Sequence, residues 1–179
     1  ASDVYKRQRS GRVGGLAVEA KHTLAMRVAV CDGGDAADAL ALLARAVPMG
    51  VLHAAGVLHD MMLRSMVIND VRAVFAPKAL AASHMQAIVV HTPLDAFGLF
   101  SSVASTFGNI GQANYAASNA HLDALAQSRR VNGAVGTSLQ IAAVRGFVMM
   151  ATQPNEVQLE AIGAISLDQF AVCLSASLA

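Results

Sequence analysis

The stretch Phe97–Arg130, FGLFSSVASTFGNIGQANYAASNAHLDALAQSRR, decides how the rest of the chain is read. Phe97-Gly-Leu-Phe100 is an apolar run of strand length, and the hydroxyl pair Ser101-Ser102 closes it. A loop of small residues follows, marked by Gly108, Asn109 and Gly111. From about Gly111 an alanine-rich helical segment carries Tyr115, Ser118, Asn119 and Leu122. A strand end supplies a serine, a loop folds back, and a helix presents a tyrosine. Open α/β folds place their ligands at the carboxyl edge of the sheet, and there Ser102 and Tyr115 would face one pocket.

Elements of both kinds continue on either side. Val51–Ala55 reads as a strand, and Gly56 lets the backbone pass close to a ligand. Met66–Val74 and Ala79–Val89 read as helices interrupted around Pro77. Further upstream, Val28–Cys31 is a short buried strand leading into Asp32-Gly33-Gly34, and Asp35 caps a helix that Pro48 and Gly50 stop. Residues 13–25 are weakly helical. Residues 1–8 show no periodicity and are expected to be a tail outside the fold. Downstream, Asn132-Gly133 breaks the helix, Thr137–Ile141 is another strand, and Ser166 opens a capped final helix.

Composition narrows the class. The 179 residues are 55% hydrophobic but only 4% aromatic and 14% charged, as expected of alanine-rich helices packed on a sheet. A formal charge of +1 lacks the clustered Lys and Arg of a nucleic-acid surface. No apolar run of membrane-spanning length escapes interruption by His, Gln, Asp or Arg, so no membrane segment is expected. Cys31 and Cys173 read as reduced thiols of a cytoplasmic protein rather than a disulfide framework. His53, His59, His84, His91 and His121 lack zincin ligand spacing, so no metal site is expected. Inside its apolar strand His53 reads as a packed histidine.

Four pieces carry a family resemblance: LFSSVA at the strand end, GNIGQANYAASNAHLDALA in the loop and helix, VLHAAGVLHDMML upstream, and FAPK between them. Together they cover most of residues 51–140 and resemble the ketoreductase domains of modular polyketide synthases and related fatty acid synthases. These belong to the short-chain dehydrogenase/reductase superfamily. The resemblance implies a Rossmann-like, doubly wound parallel α/β sheet with helices on both faces. It also implies NADPH as cofactor and, as substrate, a β-ketoacyl thioester on an acyl carrier protein. The other domains of a multidomain synthase would be its partners.

Residue by residue, the resemblance makes Tyr115 the general acid, Lys78 its electrostatic partner and Ser102 the group that holds the substrate oxygen. Asn119, four residues after Tyr115, would orient Lys78 and a water. The chemistry suits these types. Hydride reduction of a ketone leaves an alkoxide to be protonated, and a nearby ammonium makes a phenol a better donor. Arg9-Ser10-Gly11 is similar to the turn that meets the 2′-phosphate of NADPH, although Gln8 stands where the family has a first serine. Asp32 would accept from the adenine amino group, and Ala54, Ala55 and Gly56 would line the cofactor. Asp60 matches one aspartate of a Leu-Asp-Asp motif, with His59 in place of the other. Asp60, Asn114 and the lack of Trp near Phe107 lean towards the subtype that gives the D-configured alcohol.

Two departures stand out. Ile141-Ala-Ala-Val144 replaces the family's Trp-Gly-Pro-Trp-like turn on the nicotinamide, ahead of a lid expected at Met149–Glu156. No G-x-G-x-x-G turn is present in the sequence. Residues 9–179 are therefore expected to be a partial domain lacking the first βαβ unit. The strand at 28–31 would then either slide across to pair with the others or leave the piece poorly folded. The alternative function is a reductase-like docking or structural subdomain that binds no cofactor.

Overall fold

The structure, a computed structural model, describes residues 4–8, 26–44, 48–145 and 156–178. Its first sheet pairs β1 (Val4–Gln8) with β2 (Met26–Val30) in parallel, Val4 opposite Met26 and Gln8 opposite Val30. The expected tail is therefore a strand from Val4 onward. Five residues carry too little periodicity to reveal it, and what makes it a strand is a partner supplied from 22 positions away in register. Helix α1 (Ala36–Leu43) starts at Asp35, whose carboxylate accepts the Asp38 N–H at 3.0 Å.

The second sheet has the order β3–β4–β5, all parallel: β3 (Gly50–His53), β4 (Ala96–Ser102) and β5 (Thr137–Ile141). Parallel neighbours require crossovers, and helices supply them. Between β3 and β4 lie α2 (Ile68–Phe75) and α3 (Ala81–Val89). Between β4 and β5 lie α4 (Ala104–Phe107) and the long α5 (Ala113–Val131). The single turn of α4 occupies what reads in sequence as loop.

Strand alternation divides the side chains of β4. Phe97 and Leu99 join Val51 on one face and pack with Ala82, Met85 and Val89 of α3 and Leu122 and Ala126 of α5. Phe100 points to the other face. There α7 (Leu167–Leu178) brings the Phe170 ring to 6.1 Å from it. Both faces of this sheet are thus served by helices. Ser166 caps α7 reciprocally with Gln169: each backbone N–H donates to the other's side chain. A further short helix, α6 (Glu156–Ala161), begins where the sequence suggests only the end of a lid.

Among the described residues no pairing joins β1 or β2 to the second sheet. Strand β2 does not slide across; it pairs with β1. The turn after β2 is held to the rest by His84, whose Nδ1 donates to the Gly33 carbonyl at 3.0 Å. Gly34 lies so close to Ala76 that a Cβ would meet its carbonyl oxygen at 3.0 Å.

Pro77 does not interrupt its helix. It lacks the N–H for an i→i−4 bond, and the chain opens into a wide π turn, Ala76–Leu80, before continuing as α3. Such turns concentrate at functional sites, and Lys78 sits in this one. Residues 13–25, Arg9-Ser10-Gly11 and the lid residues 149–155 lie outside the described residues.

Candidate active site

Lys78 is the hub. Its side chain is 4% exposed, and Nζ donates to the Phe100 carbonyl of β4 at 2.8 Å. The same Nζ lies 5.6 Å from the centroid of the Tyr115 ring. The lysine therefore touches the strand end two residues before Ser102 and, at the same time, the tyrosine of α5. Gly56 makes room for it, since a Cβ there would come within 3.1 Å of Lys78 Cε. The close approach at Gly56 is thus to the lysine stem. His53 is buried, as expected, and its Nε2 donates to the Lys78 carbonyl at 2.9 Å, pinning the π turn. Burial lowers the ammonium's pKa from 10.5 to about 8, against the opposing pull of the Asp123 charge.

Tyr115 lies in the first turn of α5, half-buried. Its N–H donates to Asn114 Oδ1 at 2.8 Å, and its carbonyl accepts from Ser118 Oγ and Asn119 Nδ2. Ser102 ends β4, half-buried, with Oγ accepting the Ala104 N–H at 3.2 Å. Asn119 makes no hydrogen bond to Lys78, contrary to the expected orienting role. Its amide turns back on the carbonyl one helical turn earlier, the usual satisfaction of a helical donor. Its Oδ1 is buried without a partner among the described residues. The Asn119 carbonyl accepts from Ser101 Oγ at 3.3 Å, which ties the end of β4 to α5.

Asn114 is buried, and backbone contacts use up its amide. Nδ2 donates to the His59 and Asp70 carbonyls at 3.0 and 3.2 Å while Oδ1 accepts from Tyr115. It clasps the segment after β3 to the tyrosine. Asp60 is clasped in the same way: both its oxygens accept from Gln112 Nε2 at 3.2 Å. Gln112 is itself buried and held by Asn109, and the Met61 N–H donates to the Gly111 carbonyl at 2.8 Å. Nothing in the residue pattern singles out Gln112, because its partner is 52 positions away.

The remaining expected residues sit along the carboxyl edges. Ala54 is exposed, and Ala55 and Gly56 are half-buried just past β3. Asp32 follows β2, and its Oδ1 accepts the Gly34 N–H at 3.0 Å, closing an Asx turn. The substituted turn Ile141–Val144 is held by backbone pairing: Ile165 donates to Ala143 and Arg145 donates to Ile165. Arg9 and Ser10 are not described. Among the described residues no group of three His, Cys, Asp or Glu side chains could hold a metal ion, and no helix is long and apolar enough to cross a membrane.

Asp123 has no place in the sequence reading. Its Oδ2 accepts from Ser105 Oγ at 2.6 Å and from Gln140 Nε2 at 2.8 Å, and its Oδ1 accepts from Ser138 Oγ. Burial alone would raise its pKa, but the hydrogen bonds from Ser105, Ser138, Gln140 and Ser101 outweigh that and hold it below the usual carboxylate range. It borders a depression of about 460 Å³ that is lined neither by Tyr115 nor by Lys78.

Comparison with known proteins bears on this arrangement. A family model described as the KR domain matches residues 8–146. The polyketide synthase GfsA of Streptomyces halstedii is 49% identical over 114 residues, 61% of this chain and 2% of that protein. The spectinabilin polyketide synthase system protein NorA′ of Streptomyces orinoci is 42% identical over 142 residues, 72% of this chain and 4% of that protein. Among solved structures, an A-type ketoreductase from a modular polyketide synthase superposes with a TM-score of 0.84 at 34% identity, over 98% of this chain and 40% of that one. The first ketoreductase of the tylosin polyketide synthase gives 0.82 at 31% identity, over 97% and 40%. The chain thus spans less than half of the solved relatives and a few per cent of the curated ones.

Proposed function

The chain belongs to the KR domain family of polyketide synthases, and from that premise we propose that it carries the reacting groups of an NADPH-dependent ketoreductase. Its substrate would be a β-ketoacyl thioester held on an acyl carrier protein, and its product the β-hydroxyacyl thioester. The domain would act inside the cell beside the other domains of the synthase. The observation that supports this most is Lys78, a buried ammonium reaching both the end of β4 and the ring of Tyr115.

In this reading Tyr115 delivers its phenolic proton to the oxygen of the ketone. Lys78 stabilises the phenolate that remains, because a charge 5.6 Å from the ring centroid and largely shielded from water acts strongly. With a pKa of about 8 it is mostly protonated at neutral pH. Ser102, at the strand end, donates to the substrate oxygen and holds it for the transfer. Bound NADPH supplies the hydride. The carboxyl-edge residues Asp32, Ala54 and Ala55 suit its adenine and nicotinamide ends, and Arg9 and Ser10 its 2′-phosphate. Of a pyrophosphate cradle the sequence contains no glycine-rich turn.

Asp60 and Asn114 shape the substrate side indirectly, by fixing the segment after β3 against the N-terminus of α5. The D-configured product remains the expectation from Asp60. A non-catalytic scaffold has less in its favour, since a docking subdomain has no use for an ammonium buried at a desolvation cost.

The test is a chimera. Residues 26–145 replace the corresponding segment of a complete, active ketoreductase domain, which then supplies the glycine-rich turn. The chimera is expected to oxidise NADPH in the presence of a β-ketoacyl thioester and to release the β-hydroxy product. A folded chimera that binds NADPH saturably without consuming it overturns the reading.

A further inference from the structure

Among the described residues two Lys or Arg side chains are buried, Lys78 and Arg129, and the site described above uses only the first. Arg129 is 3% exposed and lies near the end of α5, fourteen residues on from Tyr115 and about 21 Å along the helix. Its guanidinium lies over the Phe97 ring, 4.1 Å from the centroid. Nε donates to the Val135 carbonyl at 2.6 Å, and Nη1 donates to Gln86 Oε1. These contacts hold the planar group in one orientation. Nη2 makes no hydrogen bond among the described residues. Nor is it sealed in, since the one buried side-chain nitrogen or oxygen without a partner there is Asn119 Oδ1.

Arg129 lines a depression of about 340 Å³ whose other walls are residues 90–94, which lead into β4, and 133–135, which lead into β5. The Thr92 hydroxyl and the exposed His91 ring line it too, and neither has a hydrogen-bond partner among the described residues. No carboxylate answers the arginine. The ion pairs among the described residues are His59–Asp70 and Arg145–Glu156, and Asp95, next to the wall at Leu94, forms none. Burial alone pushes the guanidinium's pKa down, with no anion to offset it. A buried charge without a counter-charge is costly, and a neutral side chain would pack on Phe97 at less cost.

We propose that Arg129 and this depression form a carboxylate-binding site, in which Nη2 and the Thr92 hydroxyl donate to the bound group. A monoanion suits the site better than a phosphate dianion. The depression holds one fixed cation, and the C-termini of α3 and α5, with their partial negative charge, both abut it. The carboxylate is either a free small molecule or an Asp or Glu side chain of another peptide segment, since both present the same two oxygens. The site lies at the amino ends of β4 and β5, so it is independent of ketone reduction at the carboxyl ends.

The test titrates the full chain with sodium acetate, with sodium chloride holding the ionic strength constant. The readout is the nitrogen-15 NMR signal of the Arg129 Nε–H, which its bond to Val135 O protects from exchange. The signal should shift saturably, with half-saturation on the order of 10 mM. Thr92→Val removes only the hydroxyl and should raise that midpoint about threefold or more. In Arg129→Lys the accompanying shifts of the His91 and Thr92 backbone amides should vanish. Should Arg129→Lys fail to fold, the wild-type titration and Thr92→Val decide. Tighter binding of N-acetyl-aspartyl methylamide than of acetate supports the site and identifies a peptide side chain as its occupant; binding no tighter supports it with a free carboxylate. A linear, unsaturated drift with acetate in the wild-type chain overturns the proposal. So does an unchanged midpoint in Thr92→Val, or inorganic phosphate binding more tightly than acetate. A merely structural arginine shows no saturation with any of these probes, and the chimera's turnover bears on none of the outcomes.

Discussion

Replacing Lys78 by Met should make the protein more stable at neutral pH and less stable in strong base. A lysine whose pKa falls from 10.5 to about 8 on folding opposes folding by about 3 kcal/mol while both states are protonated. The sign follows from proton counting. Between about pH 8 and pH 10.5 the unfolded chain binds the proton and the folded chain does not, so stability rises with pH across that window. Methionine has nearly the same length and no charge, so it fits beside Gly56 and removes the penalty. It also forfeits the 2.8 Å hydrogen bond to Phe100 O, at a cost of about 1–2 kcal/mol. The variant should therefore gain about 1–2 kcal/mol near neutrality and lose about 1–2 kcal/mol above the window. Urea unfolding followed by circular dichroism at several pH values reads both. A variant less stable than wild type at neutral pH, with the same pH slope, refutes the account of Lys78 as a charge buried for function.

Three further outcomes are expected. Gly56→Ala places a methyl group 3.1 Å from Lys78 Cε, so the lysine must shift; urea unfolding should show a loss of about 1–2 kcal/mol, with ketone reduction by the chimera falling alongside. Because Lys78 titrates at about 8, kcat/KM of the chimera should fall about tenfold per pH unit above that midpoint as the ammonium is lost; a flat profile beyond the window speaks against the assignment. Leu122→Ala empties a fully buried position between α5 and β4 and should cost about 2–5 kcal/mol by chemical denaturation, with no change in the pH profile.

Much of the fold was legible because its signals are local. The strand at Thr137–Ile141 matches its expected limits, and the caps at Asp35 and Ser166 stand where those residue types predict them. The failures share one cause, which is that the deciding partner is distant. Val4–Gln8 becomes a strand only through Met26–Val30. Pro77, read as a break, is absorbed in the π turn Ala76–Leu80, which leads from α2 into α3. At the site, Lys78 reaches the Phe100 carbonyl of β4 and lies over the Tyr115 ring. Asn119 and Asn114 instead spend their amides on backbone carbonyls, which only the folded geometry reveals. Gln112 and Asp123 lie within the quoted stretch, yet their partners at Asp60, Ser138 and Gln140 left no mark on its pattern.

The central claim is that the phenol of Tyr115 protonates the reduced ketone. Tyr115→Phe in the chimera keeps the ring against Lys78 and removes only the proton donor. NADPH oxidation with a β-ketoacyl thioester should then fall by about 10²–10⁴ in kcat, with KM little changed. A Tyr115→Phe protein that turns over at the wild-type rate contradicts the account.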